Sequence, residues 1–150
     1  MLKEGDRAPD IALETDSGET FRLSDLKGRR VVLYFYPKAD TPGCTIEACE
    51  FRDGLAAFQK KGAAVVGVSP DKPAAQAKFK GKYGLTFPLL ADQEKAAAQA
   101  YGVWKEKTMY GRKVMGIERT TFVIGADGRI EKIYAKVKAA GHAAQVLSGL

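Results

Sequence analysis

The chain has few cysteines, a single histidine and no long hydrophobic run. No stretch approaches the roughly 20 consecutive apolar residues that span a bilayer. The opening MLKEGDRAPD lacks the apolar core of a signal peptide, so we expect a cytoplasmic protein with no membrane partner. Cys44 and Cys49 are the only cysteines. In a reducing compartment such a pair is a poor permanent staple, which shifts weight to transient or catalytic thiol chemistry. Two cysteines and one histidine, His142, cannot complete a tetrahedral zinc site, and C-x4-C is not knuckle spacing. No metal and no cofactor are therefore expected. The C-x-x-C pair of thiol–disulfide oxidoreductases is also missing.

Repeats, low-complexity tracts and Pro/Gly/Ser-rich linkers are absent as well, so residues 1–150 read as a single domain. A hydrophobic content of 45 % suffices for an ordinary core at this length. The net charge of +6 invites a comparison with nucleic-acid binders. Its lysines and arginines are spread along the whole chain, however, and the densest stretches, KFKGKYG and KIYAKVKAAGH, have no interleaved aromatic or groove-entering motif. That pattern argues against nucleic acid as a partner.

What is present is a series of α/β elements. DIALETDSGETFRLSDLKG alternates apolar and polar residues about Ser17-Gly18 and predicts an N-terminal hairpin followed by a short helical turn. VVLYFYP (31–37) is continuously apolar, as a strand buried on both faces would be. Phe51, Leu55 and Phe58 recur at helical spacing up to Gly62, and AAVVGVSP reads as a second buried strand, completing a β-α-β unit. Helices from about Pro73 to Tyr83, Gln93 to Tyr101 and Ala143 to Leu150 are predicted, with a short strand around FPLLA. GVWKEKTMYGRKVMGIER is too weakly periodic to assign. TTFVIGADGRIEKIYA predicts an antiparallel hairpin turning at Asp127-Gly128. The fold class is thus α/β, a mixed central sheet flanked by helices, with its site expected at the carboxyl end of VVLYFYP.

That position is occupied by PKADTPGCTIEACEF, which holds both cysteines. Thr41, Pro42 and Gly43 read as N-cap, N1 and N2 of a helix, which puts Cys44 in the first turn, where free amides and the helix dipole favour a thiolate. Taken alone, Thr41 and Pro42 read as ordinary helix capping, which is compatible with an anion site because both use the same donors. On an intact helix, Cα atoms at i and i+5 lie roughly 8.7 Å apart and about 140° around the axis. This exceeds the roughly 7 Å limit for a disulfide. Cys49 is then either a core residue or a thiol that reacts only when the helix unravels, and the pattern leaves both readings open. His142 reads as a surface or capping residue of the last helix, and Glu47, within a turn of Cys44, either as solvated helix surface, the default, or as part of a polar network with Arg119. Without the cysteines, Arg119 would be read as the partner of Glu118 or Glu131.

The segment PKADTPGCTIEACEF resembles the active-site segment of peroxiredoxins, with Pro37, Thr41 and Cys44 in the family's spacing. The position of Cys49 is similar to that of the resolving cysteine in the bacterioferritin comigratory protein (peroxiredoxin Q) branch. GDRAPDIAL, FPLLAD, YGVWKEK and ERTTFVIGADGRI extend the resemblance over nearly the whole chain in the family's order. The resemblance implies a thioredoxin-like fold and reduction of hydrogen peroxide and organic hydroperoxides, with thioredoxin or a similar dithiol as reductant. It implies that Cys44 is the peroxidatic nucleophile and Cys49 the resolving thiol. Thr41 would hydrogen-bond thiolate and peroxide, Pro37 would shield the site and Arg119 would be the active-site arginine.

Glutathione peroxidases are a nearby rival, but their Trp-Asn-Phe segment is missing. The chain has no distal second cysteine and no C-terminal extension of the kind seen in dimeric peroxiredoxins, so a monomer with an intramolecular disulfide is expected. An alternative from another class is a redox-switched interaction protein or holdase using the same cysteine pair. Reduced protein should show an unbroken helix through Cys44 and Cys49, and oxidation should release about Thr41 to Phe51.

Overall fold

The computed structural model describes residues 1–150. Strands β1 (Ala12–Thr15) and β2 (Thr20–Arg22) form the N-terminal hairpin, and a 3-10 turn, Leu23–Leu26, follows. β3 (Arg30–Phe35), α1 (Pro42–Lys60) and β4 (Ala63–Ser69) make the β-α-β unit, and α2 (Pro73–Tyr83) leads to β5 (Leu89–Ala91). The chain continues through α3 (Ala96–Ala100), β6 (Trp104–Met109), β7 (Arg112–Ile117), β8 (Thr120–Ile124), β9 (Ile130–Tyr134) and α4 (His142–Ser148). Seven strands form one sheet in the order β2-β1-β5-β4-β3-β8-β9. β3, β4 and β5 are parallel to one another, whereas β1, β8 and β9 join antiparallel, so the sheet is mixed as expected.

Alternation along β3 divides the interior in two. Val31, Leu33 and Phe35 enter one core with Ala97, Tyr101 and Phe122. Val32, Tyr34 and Tyr36 enter the other, where Phe51 and Phe58 of α1, Phe79 of α2 and Val146 of α4 pack. Because β3 has neighbours on both edges and cover on both faces, its apolar run shows no period. α1 is pressed onto the second core by Phe51, whose ring stacks on Tyr34 at 4.6 Å between centroids. The start of the same helix is thereby held at the carboxyl end of β3. No helix is long and apolar enough to cross a membrane.

Three details depart from the sequence reading. The unassigned stretch contains a separate two-stranded ribbon, β6–β7, whose turn residues Tyr110 and Gly111 both have positive φ (51° and 76°). Most of its residues are exposed, with Ile117 alone fully buried, so neither strand has the apolar face that would mark it. α3 starts at Ala96, not Gln93, because the Asp92 carboxylate accepts from the amides of Ala97 and Ala98 at 3.1 and 2.8 Å and Lys95 turns left-handed.

His142 is not on the surface. It is 1 % exposed, wedged edge-on against Phe51 and Tyr134. Its Nε2 lies 2.7 Å from Thr121 Oγ1 and its Nδ1 3.2 Å from Gln145 Oε1. Since the amide oxygen can only accept, Nδ1 carries the proton and Nε2 accepts from Thr121.

Burial depresses the His142 pKa, with the Gln145 hydrogen bond opposing it, so the folded state favours neutral imidazole. Stability from this group is complete above the ordinary imidazole value of about 6.5 and is lost as pH falls through the lower folded value. His142→Ala should cost about 2–4 kcal/mol at pH 8, from a cavity and an unpartnered Thr121 hydroxyl. Urea unfolding of both proteins at pH 8 and pH 5 checks this. The gap should narrow at pH 5, and an equal gap at both would contradict neutral burial.

Candidate active site

The chain leaves β3 at Tyr36, whose amide still bonds Val68 O at 3.0 Å, and passes through Pro37 to Asp40, a non-glycine residue with φ of 59°. Thr41 is the N-cap of α1 and Pro42 occupies the first helical turn, as predicted. The Thr41 hydroxyl does not cap, however. It donates to Lys38 O at 2.7 Å, which commits its only proton and leaves its oxygen able to accept but not to donate to a thiolate. α1 runs unbroken through both cysteines, which are free thiols. Cys44 is buried and Cys49 half-buried.

Arg119, between β7 and β8, reaches across to this first turn. Its Nη2 donates to Cys44 Sγ at 3.4 Å, and its Nη1 donates to Glu47 Oε1 at 2.6 Å. Glu118 and Glu131 are engaged elsewhere, with Lys105 at 2.8 Å and Arg30 at 3.1 Å. Glu47 is therefore not solvated helix surface. It is fully buried, three residues after Cys44 and on the same side of the helix. Gly43 belongs to this contact too, because a Cβ there would lie 3.1 Å from Arg119 Nη2.

The electrostatics follow from burial. Desolvation pushes Glu47 up to about 7 even though Arg119 pulls it down, and its Oε2 has no partner. The buried Tyr34 hydroxyl also has no hydrogen-bond partner. Burial alone would push Arg119 down, but the charges of Glu47 and Cys44 raise it. Lys107 of β6 lies near enough to feel both Arg119 and Cys44. Burial and then Arg119 push it down, and its ammonium donates to Ile117 O. Together these groups give one permanent cation facing a thiol, with an ionisable carboxyl behind it. Such a set can hold a sulfur nucleophile and stabilise charge moving away from it.

Pro37 and Thr41 stand at the amino side of this group and Cys49 further along the helix. No group of three or more His, Cys, Asp or Glu side chains is arranged to hold a metal ion. An apolar cavity of about 320 Å³ between Leu23, Val31 and Ile124 opens at the other end of β3 and shares no residue with the site. Lys107 gave no signal in the sequence, and for Glu47 the structure selects the network with Arg119 over solvated helix surface. The i, i+3 spacing to Cys44 was the one signal available for Glu47.

The raised Glu47 value has a defined consequence for stability. Its folded pKa lies above that of the unfolded chain, so its contribution is complete below the usual carboxylate range and is lost as pH rises through about 7. Glu47→Gln keeps an acceptor for Arg119 and removes the titration. The stability of the variant relative to the parent should rise between pH 5 and pH 8, and a difference that does not vary with pH in chemical denaturation would contradict a buried, titrating Glu47.

Comparison with known proteins gives the family. Residues 4–133 match the model of the AhpC/TSA family. Peroxiredoxin Bcp of Bacillus subtilis is 51 % identical over 99 % of this chain and 95 % of its own length. Peroxiredoxin Bcp of Escherichia coli is 44 % identical over 99 % and 96 %. Among solved structures, a cysteine-to-serine mutant of Xylella fastidiosa PrxQ superposes with a TM-score of 0.95 at 40 % identity, covering 99 % of this chain and 95 % of that one. Peroxiredoxin Q of Xanthomonas campestris gives 0.89 at 42 % identity over 93 % and 88 %. The fold is that of thioredoxin-fold peroxiredoxins. With that fold, two thiols and full-length similarity to Bcp and PrxQ, the chain belongs to the AhpC/TSA family as a peroxiredoxin, a thiol-dependent peroxidase.

Proposed function

We propose that residues 1–150 act as one peroxidase domain in which Cys44 is the peroxidatic nucleophile and Cys49 the resolving thiol. The observation that carries this reading is the Arg119 guanidinium, which bonds Cys44 Sγ and Glu47 Oε1 at once. The Cys44 thiolate attacks the distal oxygen of ROOH. The S–O bond forms as the O–O bond breaks, RO⁻ leaves and takes a proton to become ROH, and Cys44 is left as sulfenic acid. Arg119 follows the charge from sulfur to the departing oxygen, and Thr41 Oγ1, its proton committed to Lys38, accepts from the peroxide hydroxyl. Pro37 screens the site from bulk water. Cys49 then condenses with the sulfenic acid, releasing water and forming the disulfide.

A dithiol must reduce that disulfide. We assign this role to thioredoxin, in a cytoplasmic setting, with the chain working as a monomer. The bond requires α1 to open, because i, i+5 positions on a helix are roughly 8.7 Å apart. The opening has a built-in stop. Glu50 accepts from Gly141 N at 2.9 Å, Phe51 is fully buried, and Arg52 Nη1 donates to Tyr83 O at 2.6 Å. Amide exchange on both redox forms should therefore show protection lost on oxidation from Thr45, the first amide bonded within the helix, to about Asp53, whose helical acceptor is the Cys49 carbonyl, and kept further along α1. Equal protection of residues 45–53 in the two forms would mean that Cys49 resolves nothing within its own chain.

Peroxide consumption with thioredoxin, glutaredoxin or glutathione tests the whole assignment. Cys44→Ser should abolish turnover. Cys49→Ser should leave a single turnover without a disulfide, and Arg119→Ala should slow Cys44 oxidation about 10²–10³-fold, the usual cost of one lost transition-state donor. Full activity of Cys44→Ser would remove the proposal. Unchanged peroxide reduction in Arg119→Ala, with oxidation-dependent protection of client proteins, would point to the redox-switched holdase.

A further inference from the structure

The segment from Pro37 to Thr41 is held from outside the cysteine helix by a ring of hydrogen bonds. Asp71, in the loop between β4 and α2, accepts with Oδ2 from Ala39 N at 2.7 Å and from Ser69 Oγ at 2.6 Å. Ser69 Oγ accepts in turn from Gln76 Nε2 at 2.8 Å, and Gln76 Oε1 accepts from the Tyr36 hydroxyl at 2.5 Å. Gln76 Nε2 also donates to Leu90 O at 2.8 Å. The ring thus starts at the Tyr36 side chain and returns to the main chain three residues later, bracketing Pro37 and Lys38. Tyr36, Ser69 and Gln76 are buried, and Tyr36 N is fixed to Val68 O, so the frame is rigid.

We infer that Asp71 is a positioning residue for peroxide reduction, acting through Thr41. The inference rests on Cys44 being the nucleophile. By holding Ala39 N, Asp71 sets the direction of the adjoining Lys38 carbonyl, and that carbonyl takes the Thr41 hydroxyl proton. The orientation of the Thr41 oxygen toward an incoming peroxide therefore depends on a carboxylate in another loop. A second hold, Asp40 to Lys82 and Tyr83 on α2, acts on the same segment. The Lys82 side chain is 53 % exposed and that of Asp40 37 %, and exposed pairs of that kind are worth about 0–1 kcal/mol, so the hold from Asp71 dominates.

The test is single-turnover oxidation of Cys44 by hydrogen peroxide in the Cys49→Ser background, with iodoacetamide alkylation of Cys44 measured alongside. Arg119 is untouched in Asp71→Ala, so alkylation and its pH profile should stay at the parent's. Peroxide oxidation should slow about 10- to 100-fold, the scale of a 1 Å misplacement. Asp71→Asn, which retains an acceptor oxygen for Ala39, should recover most of the rate. In a Thr41→Val background the loss of Asp71 should add little, because the two act as one unit. Parent-like oxidation in Asp71→Ala, a parallel change in alkylation, or full additivity with Thr41→Val would each overturn the inference. If Asp71→Ala does not fold, Ser69→Ala removes Asp71's second donor and its link to Gln76 and is judged by the same readouts. A parent protein inert to peroxide would sink the nucleophile assignment itself, whereas a reactive parent with an equally reactive Asp71→Ala sinks this inference alone.

Discussion

One guanidinium serves two acids. Arg119 faces the Cys44 thiol with one nitrogen and the Glu47 carboxyl with the other, and its side chain is only 16 % exposed while that of Glu47 is fully buried. A surface pair of this kind would contribute little, but removing one partner of a buried pair costs about 3–5 kcal/mol, because a charge is left without compensation. With both acids ionised the buried group would carry a net negative charge, a state that burial opposes. The raised Glu47 pKa shows where relief is available. Near neutral pH the carboxyl can hold a proton, leaving the permanent charge of Arg119 to the sulfur.

The rest of the fold is arranged so that this contact can exist. Arg119 lies where the ribbon β6–β7 returns to the central sheet at β8, so the sheet fixes its main chain. Its carbonyl also accepts from Val137 N at 3.1 Å. The thiol is fixed separately, by α1 pressed on the second core through Phe51 and Phe58. The two halves meet only because β3, next to β8, delivers the chain to the amino end of α1. Register between β3 and β8, Phe35 opposite Thr120, thus places the arginine one residue from the strand that carries the cysteine loop.

How much of this the sequence made legible follows from the kind of signal each part leaves. β3, β4 and the β8–β9 hairpin were readable because burial on both faces, or a turn at Asp127-Gly128, marks the sequence locally. α1 was readable from its cap residues and aromatic spacing, and Cys44 from the neighbours that make a helix start suit a thiolate. His142 was misread and Glu47 left between two readings for one reason: a polar residue on a helix is solvated by default, and only the partner from another element, Thr121 or Arg119, allows it to be buried. Asp71 gave no signal at all, since its partner Ala39 N is a backbone amide 32 residues away in sequence. The ribbon β6–β7 failed differently: exposed on both faces, it has no hydrophobic period to detect.

In the proposed assignment of attack to Cys44 and resolution to Cys49, Gly43 serves both steps in one turn of helix. Attack requires Arg119 to approach Cys44 closely, and the guanidinium passes where a side chain at residue 43 would begin. Resolution requires the same turn to come apart, and glycine lowers the cost by roughly 1 kcal/mol relative to alanine. An alanine there would oppose both steps at once, pushing the cation off the sulfur while stiffening the turn that must open. Beyond Cys49 the ties run to elements that take no part in the thiol chemistry: Glu50 to Gly141, Arg52 to Tyr83 and Phe51 into the second core. Opening the first turns must therefore break the Arg119 contacts to Cys44 and Glu47, while the helix beyond Cys49 stays tied to the core, so the site rearranges without loosening the sheet that holds Arg119.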